Sequence, residues 1–465
     1  MLGIFVSIVF IENRVVCFID LFYNMDAIKE KLDKLKNEQE FLGLLNEIVK
    51  EEMGDNFHPF TFQQLCFYAN TDKIPSEKRY HTFKIPKKKK GEYRIISSPV
   101  KQLKIIQFFI KIILENLYEP KDCVMGFVKK RNVVDNAKRH LNKYYVQNLD
   151  IKDFFPSITQ DMILGCLICA PYQINYQVAF MIARLCCIRR EDNSKVLPQG
   201  SPTSPILANM VFSELDARIM NLARQFDLDY TRYADDMTFS GQYNSFKDEG
   251  RFMKLLTSII ENNGFKLNPD KKRIQKHGSR QEVTGIIISS KTNVRRKYIK
   301  SIRTMLHNWE TSGYTSANKR FVECYRKEGK KRYSVVPDMS NVIDGRLEYL
   351  KMVKGQGDIT YLRLKDRFDR LVSLSESKVI MSWSWRDFEK ENGTNLEIKV
   401  SPVSKEKYVV IHKDNISYRY FLPHSLDVSN LDNLQINLVQ RGEEKFYTIS
   451  EIENGNSLLN LLGIK

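Results

Sequence analysis

Tyr233-Ala234-Asp235-Asp236 sets two carboxylates side by side between runs of β-formers, Tyr230, Thr231 and Arg232 before and Met237, Thr238, Phe239 and Ser240 after. A small residue and two Asp between such runs predict a tight hairpin with the carboxylates at its tip. Two adjacent Asp at a turn are commonly just a solvated loop, so the reading depends on a third. Tyr144 to Leu149 is an apolar-rich strand ending at Asp150, followed by Ile151, Lys152, Asp153, Phe154 and Phe155. A strand end beside a hairpin tip would gather Asp150, Asp235 and Asp236, at an electrostatic cost unless cations share the site. Two Mg²⁺ ions roughly 3.5–4 Å apart would offset that repulsion, activate an attacking hydroxyl and stabilise a departing pyrophosphate. Asp is suited to this because Mg²⁺ takes hard oxygen ligands in a tight geometry.

Three other segments fit such a site. Leu197-Pro198-Gln199-Gly200-Ser201-Pro202-Thr203-Ser204-Pro205 is a Gly/Pro-punctuated loop before a helix over 206–220, and a helix N-terminus suits close approach to a phosphate. Lys87 to Lys90, then Gly91, Arg94, Ile95 and Ile96, reads as a basic hairpin able to close on a triphosphate, or as a solvated charged turn. Gly264-Phe265-Lys266-Leu267-Asn268-Pro269-Asp270-Lys271-Lys272 places Lys after a turn, where it could protonate or screen a leaving pyrophosphate.

The elements that must position these groups form an α+β chain of 465 residues. Residues 25–80 read as helical, with Ile28, Leu32, Leu35, Leu42 and Val49 at helical spacing. Residues 81–290 hold the basic hairpin, a helix from Lys101 to Leu117, and short strands alternating with helices. Residues 291–375 are helical and basic, with Ile299, Ile302, Met305, Leu306 and Trp309 on one stripe and Tyr361, Leu364, Phe368 and Leu371 on another. From 376 to 465 the period changes to that of strands, as in Leu396, Ile398 and Val400, with turns at Lys413-Asp414-Asn415 and Arg441-Gly442. Residues 1–24, apolar and then interrupted by Glu12, Arg14 and Asp20, are expected to be upstream sequence before a start at Met25, not a membrane span. Lys and Arg outnumber Asp and Glu 73 to 56, a net charge of +17, which points to a polyanionic partner. Cys166, Cys169, Cys186 and Cys187 could be a zinc set, but the first two sit within an apolar helical pattern that favours thiols as small core groups. Scattered Cys without disulfide spacing fit a reducing cytoplasm.

Taken in order, the basic hairpin, Asp strand, Gln-Gly loop, Tyr-Ala-Asp-Asp hairpin and Gly-Phe-Lys turn resemble the successive motifs of reverse transcriptases over about residues 80–370. The resemblance implies a right-hand polymerase with fingers, palm and thumb; the strand-like alternation over 376–465 adds a separate small β-rich C-terminal domain. It implies that Asp150, Asp235 and Asp236 are the catalytic, metal-binding triad and that Lys271 assists. It also implies that Arg94, Lys88, Asp153, Phe155, Gln199 and Gly200 meet the nucleotide, Phe155 as a steric gate against the 2′-hydroxyl. Asn136-Ala137-Lys138-Arg139-His140 and Val283-Thr284-Gly285 resemble the Asn-Ala-x-x-His and Val-Thr-Gly elements of the bacterial retron type. On that likeness Asn136, His140, Val283, Thr284 and Gly285, with the thumb residues Arg295, Arg296 and Lys300, are expected to contact RNA. The implied partners are a structured non-coding RNA serving as template and primer, deoxynucleotides, the DNA product, and an effector protein held by residues 376–465, in anti-phage defence. That extension departs from the compact retron pattern. It leaves open a related defence enzyme, a group II intron-like enzyme, or a non-catalytic RNA-binding scaffold.

Overall fold

The computed structural model describes residues 7–11, 14–18, 25–53, 58–87, 91–247, 250–327, 337–374, 378–392, 396–400, 407–413, 416–421, 434–441 and 444–451. Two compact units emerge, one comprising Ser7–Val16 and Leu21–Asn293, the other built chiefly from Val294–Lys465.

The first unit carries the acidic motif on a four-stranded antiparallel sheet. Its order is Arg273–Lys276, Tyr145–Asp150, Asp236–Gly241, Asp229–Tyr233. The two central strands have neighbours on both sides, and Val146, Met237 and Phe239 on them are fully buried. Helices Ser204–Gln225 and Arg251–Asn262 cover this sheet. The second of these presents Phe252, Met253, Leu256 and Ile260, a single buried stripe at helical spacing. Phe154, Phe212, Phe239, Phe252 and Phe265 fill the space with edge-to-face and tilted ring contacts.

Beside the sheet lie helices Met25–Asp33, Glu38–Met53, Phe62–Ala69 and Lys101–Leu117. The expected helix over 101–117 has those bounds, and Phe109, Ile110, Ile113 and Leu114 form its buried face. Residues 25–53 are two helices, broken where Asn37 caps the second by accepting from the Gln39 and Glu40 amides. The basic hairpin pairs Tyr80–Pro86 with Tyr93–Pro99 as a separate two-stranded ribbon.

The second unit contains helices Arg296–Lys327, Met339–Lys354 and Ile359–Leu374. Ile302, Met305, Leu306 and Trp309 are buried, as are Tyr361, Leu364, Phe368 and Leu371, so both expected stripes face a core. The first helix is interrupted at Gly313, whose φ of 74° and ψ of 164° are not helical. Beyond it stand two three-stranded antiparallel sheets, Lys378–Ser384 with Leu434–Arg441 and Glu444–Glu451, and Leu396–Val400 with Lys407–Lys413 and Ile416–Phe421. Trp385 is buried, and Trp383, half-buried, meets Phe388 edge to face.

Candidate active site

Strand register brings the acids together. Asp150 stands directly opposite Asp236 across the two central strands, and the Ile151 amide donates to the Asp235 carbonyl at 3.1 Å. Tyr233 pairs with Asp236, so Ala234 and Asp235 form the two-residue turn. Such a turn needs positive φ at its first central residue, which favours glycine; Ala234 adopts it at φ 58°. Burial raises the Asp235 carboxyl above its ordinary range, and Asp150 beside it adds to the rise. Burial pushes Asp236 to about 6, with Asp235 and Asp150 contributing like-charge repulsion.

Asp150 itself is buried and doubly anchored. Lys271 Nζ lies 2.5 Å from its Oδ1 and Asn268 Nδ2 donates to Oδ2 at 3.1 Å, while the Asn268 amide donates to the Asp150 carbonyl at 2.8 Å. Burial pulls the Lys271 ammonium down, but its bond to Asp150 and the nearby acid charges outweigh that, and its pKa is raised. Asn268 was not among the expected site residues. Its signal was the Asn-Pro that opens a short 3₁₀ turn over Pro269–Lys271, where the Asn268 side chain accepts from the Asp270 amide.

Three carboxylates from two strand ends offer hard oxygen donors, and the raised Asp235 and Asp236 are the kind of pair that a divalent cation relieves. The fit to Mg²⁺ is one of donor chemistry. Among the described residues no three acidic, thiol or imidazole groups close around a single point.

Arg94 looks toward this cluster. It sits on the ribbon opposite Ile85, and its charge lowers the Asp235 carboxyl. The Gln199-Gly200 loop abuts the same ribbon: the Ser97 amide donates to the Gln199 carbonyl at 2.8 Å. Gly200 has φ 123°, and a Cβ there would come within 2.9 Å of Ile96. Phe155 is half-buried on the short helix after Asp150, 6.3 Å from the Phe127 ring. Asp153 caps that helix in a left-handed conformation with an exposed side chain. Lys88 lies outside the described residues.

The retron-like motifs meet each other, but not at a surface. Asn136 and His140 are completely buried, as is Val283, which corrects the expectation that these three side chains touch RNA. Thr284 and Gly285, with φ of 46° and 87°, make the two-residue turn joining Gln281–Val283 to Ile286–Ile288. Asn136 Nδ2 donates to Thr284 Oγ1 at 3.3 Å, and Thr231 Oγ1 donates to Asn136 Oδ1. His140 bridges both strands of the acidic hairpin, with Nε2 2.7 Å from Thr231 Oγ1 and Nδ1 2.7 Å from Ser240 Oγ. Because the Thr231 proton points to Asn136, Nε2 carries the imidazole hydrogen and Nδ1 accepts from Ser240. The ring is neutral: burial, reinforced by Lys143 and Arg139, takes its pKa down to about 3. These motifs clasp the base of the hairpin. In the second unit Arg295, Arg296 and Lys300 are exposed, as a phosphate-facing role requires.

A strand-end Asp beside a hairpin-tip Asp pair, facing a basic ribbon and a Gln-Gly loop, defines the palm of a right-hand polymerase. Residues 85–312 match the family described as reverse transcriptase (RNA-dependent DNA polymerase). The retron Ec86 reverse transcriptase of Escherichia coli is 35% identical over 233 residues, covering 50% of this chain and 70% of that protein. The retron Mx65 reverse transcriptase of Myxococcus xanthus is 32% identical over 289 residues, 59% of this chain and 62% of that one. The chain therefore belongs to the retron-type reverse transcriptases. Telomerase from Candida albicans, solved with a fragment of telomeric RNA, overlays at TM-score 0.39 and 10% identity, covering 72% of this chain and 68% of its own, a likeness too slight to carry an argument. Among the described residues no helix is long and apolar enough to cross a membrane.

Proposed function

We propose that this chain is the RNA-directed DNA polymerase of a retron, copying a cognate structured RNA into DNA. The observation that carries this reading is the register of Asp150 against Asp236 with Asp235 in the adjoining turn. Asp150, Asp235 and Asp236 would hold two Mg²⁺ ions. When bound, those ions supply activation of the primer hydroxyl and charge compensation for the departing pyrophosphate. Arg94 orients the triphosphate from the ribbon, and the Gln199-Gly200 loop confines the base. The Phe155 ring crowds the sugar 2′ position. Lys271, within reach of the cluster, provides a proton or positive charge to the leaving group.

Kinship with retron enzymes supports the finer reading. One non-coding RNA acts as both template and primer, synthesis begins at a 2′-hydroxyl of an internal guanosine, and the product is an RNA-linked single-stranded DNA. Work in the cytoplasm, in anti-phage defence, with an effector held by residues 376–465, completes the proposal. Co-expressing the chain with the RNA transcribed beside its gene and sequencing the DNA tests it. A short DNA joined to RNA through a branch is expected. A full-length intron copy would instead assign a group II-like enzyme, and no DNA from any template would leave an RNA-binding scaffold.

A further inference from the structure

The acidic turn rests on a second set of buried groups that the chemistry above does not use. Arg232, two residues before Ala234, is completely buried. Its Nε and Nη2 donate to the two carboxylate oxygens of Asp216 at 2.9 and 2.6 Å, and its guanidinium carbon lies 4.6 Å from the Phe212 ring centre. Nη1 spans two further acceptors, Asn209 Oδ1 at 3.1 Å and the Ala234 carbonyl at 3.2 Å. Tyr230 donates to Asp216 at 2.8 Å from the same strand.

Beneath the turn the chain passes so close that position 126 has no room for a side chain. A Cβ on Gly126 would come within 2.6 Å of the Ala234 nitrogen and 3.1 Å of Tyr233 backbone atoms. This floor is tied on both sides: the Met125 amide donates to the Arg232 carbonyl at 2.8 Å, and Asn209 Nδ2 donates to the Gly126 carbonyl at 3.0 Å. Asn209, Phe212 and Asp216 fall on one face of helix Ser204–Gln225, whose N-terminus is the end of the Gln199–Pro205 loop.

We propose that Arg232, seated on Asp216, is a positioning residue that fixes the Ala234 peptide and thereby ties the carboxylates to the helix that carries the nucleotide loop. The Ala234 carbonyl belongs to the peptide that leads into Asp235, so its orientation sets the direction of the Asp235 side chain. A left-handed alanine is strained and persists only where its surroundings hold it, and the guanidinium is one such hold on its carbonyl. The fork geometry matters as well as the charge. A lysine could pair with Asp216 but could not simultaneously reach Asn209 and the Ala234 oxygen.

This inference rests on the polymerase reading for its kinetic readout, so the test includes a measurement independent of synthesis. Two variants are compared with the parent chain: Arg232→Lys, and the double variant Arg232→Met with Asp216→Leu, which leaves no unpaired buried charge. Each is measured for folded fraction by thermal melting, for Mn²⁺ binding by paramagnetic resonance without nucleotide, and for single-turnover deoxynucleotide incorporation. Both variants are expected to remain folded at the assay temperature and to bind Mn²⁺ about tenfold more weakly. They should also lose roughly ten- to a hundredfold in single-turnover rate, with the nucleotide KM little changed. Mn²⁺ affinity and rate per folded molecule equal to the parent's would overturn the proposal. So would losses that merely track the folded fraction. If the parent binds Mn²⁺ but incorporates nothing, the polymerase reading fails, and the Mn²⁺ comparison still decides the role of Arg232.

Discussion

In the acidic hairpin every residue from Met237 to Gly241 is buried, and strands or chain segments press on it from both sides. In the basic ribbon Phe83, Tyr93 and Ile95 are about half exposed, and the two strands pair only with each other. Both are antiparallel pairs, yet one has its base enclosed by protein and the other leaves Phe83, Tyr93, Ile95 and Arg94 exposed. On the proposed function, the difference follows from what each would meet. Carboxylates that share ions must be fixed within fractions of an ångström, which demands a buried, polar-satisfied base. A surface that receives a nucleotide and template must keep its contact area uncovered until they arrive. A two-stranded ribbon is marginal alone; this one is anchored by the bond from the Ser97 amide to the Gln199 carbonyl.

That contrast can be broken most sharply at the acids. Asp235→Asn with Asp236→Asn should lower deoxynucleotide incorporation by about 10²–10³-fold or more while leaving RNA affinity within about twofold, measured by primer extension and filter binding. Undiminished synthesis would remove these residues from the chemistry. At the base of the same hairpin, His140→Ala should cost about 2–4 kcal/mol in denaturant unfolding, because Thr231 and Ser240 lose a buried partner.

His140 also fixes a pH dependence. Its folded pKa, near 3, lies below the unfolded value, so between pH 6.5 and 3 the unfolded chain binds a proton that the folded chain refuses. Stability from this group is full above pH 6.5 and falls with acidification, by up to about 1.4 kcal/mol per pH unit. Comparing His140→Gln with the parent isolates it. An identical slope in both would mean the buried imidazole is not responsible.

On the open ribbon the effects should be smaller and confined to substrate. Arg94→Ala is expected to raise the deoxynucleotide KM about tenfold with an unchanged melting temperature. A melting temperature that dropped with it would make Arg94 a structural residue. Least of all, Phe155→Ala should shift preference toward ribonucleotides by a few-fold to about tenfold in relative kcat/KM. No shift would take the ring out of the sugar pocket.

Periods of two and 3.6 make the helix over 101–117 and the alternating C-terminal strands legible in the sequence, and the β-formers flanking Ala234-Asp235-Asp236 do the same for the acidic hairpin. What they could not show was which polar residues face inward. Asn136 and Thr284 are 148 positions apart, and nothing local tells that one will donate to the other inside the fold. A buried polar clasp and a surface contact use the same residue types, so Asn136 and His140 read equally well as either. Asn268 and Gly126 escaped for a related reason. Asn268 reaches Asp150 through its side chain and its amide, and Gly126 approaches Ala234 through backbone alone; neither long-range contact leaves a hydropathy trace.

At position 126 peptide lies on peptide, with no side chain as spacer. The height of the acidic turn above its support is thus set by atoms common to all amino acids. The residue mutational drift can least replace at this contact is the one that contributes no side chain at all.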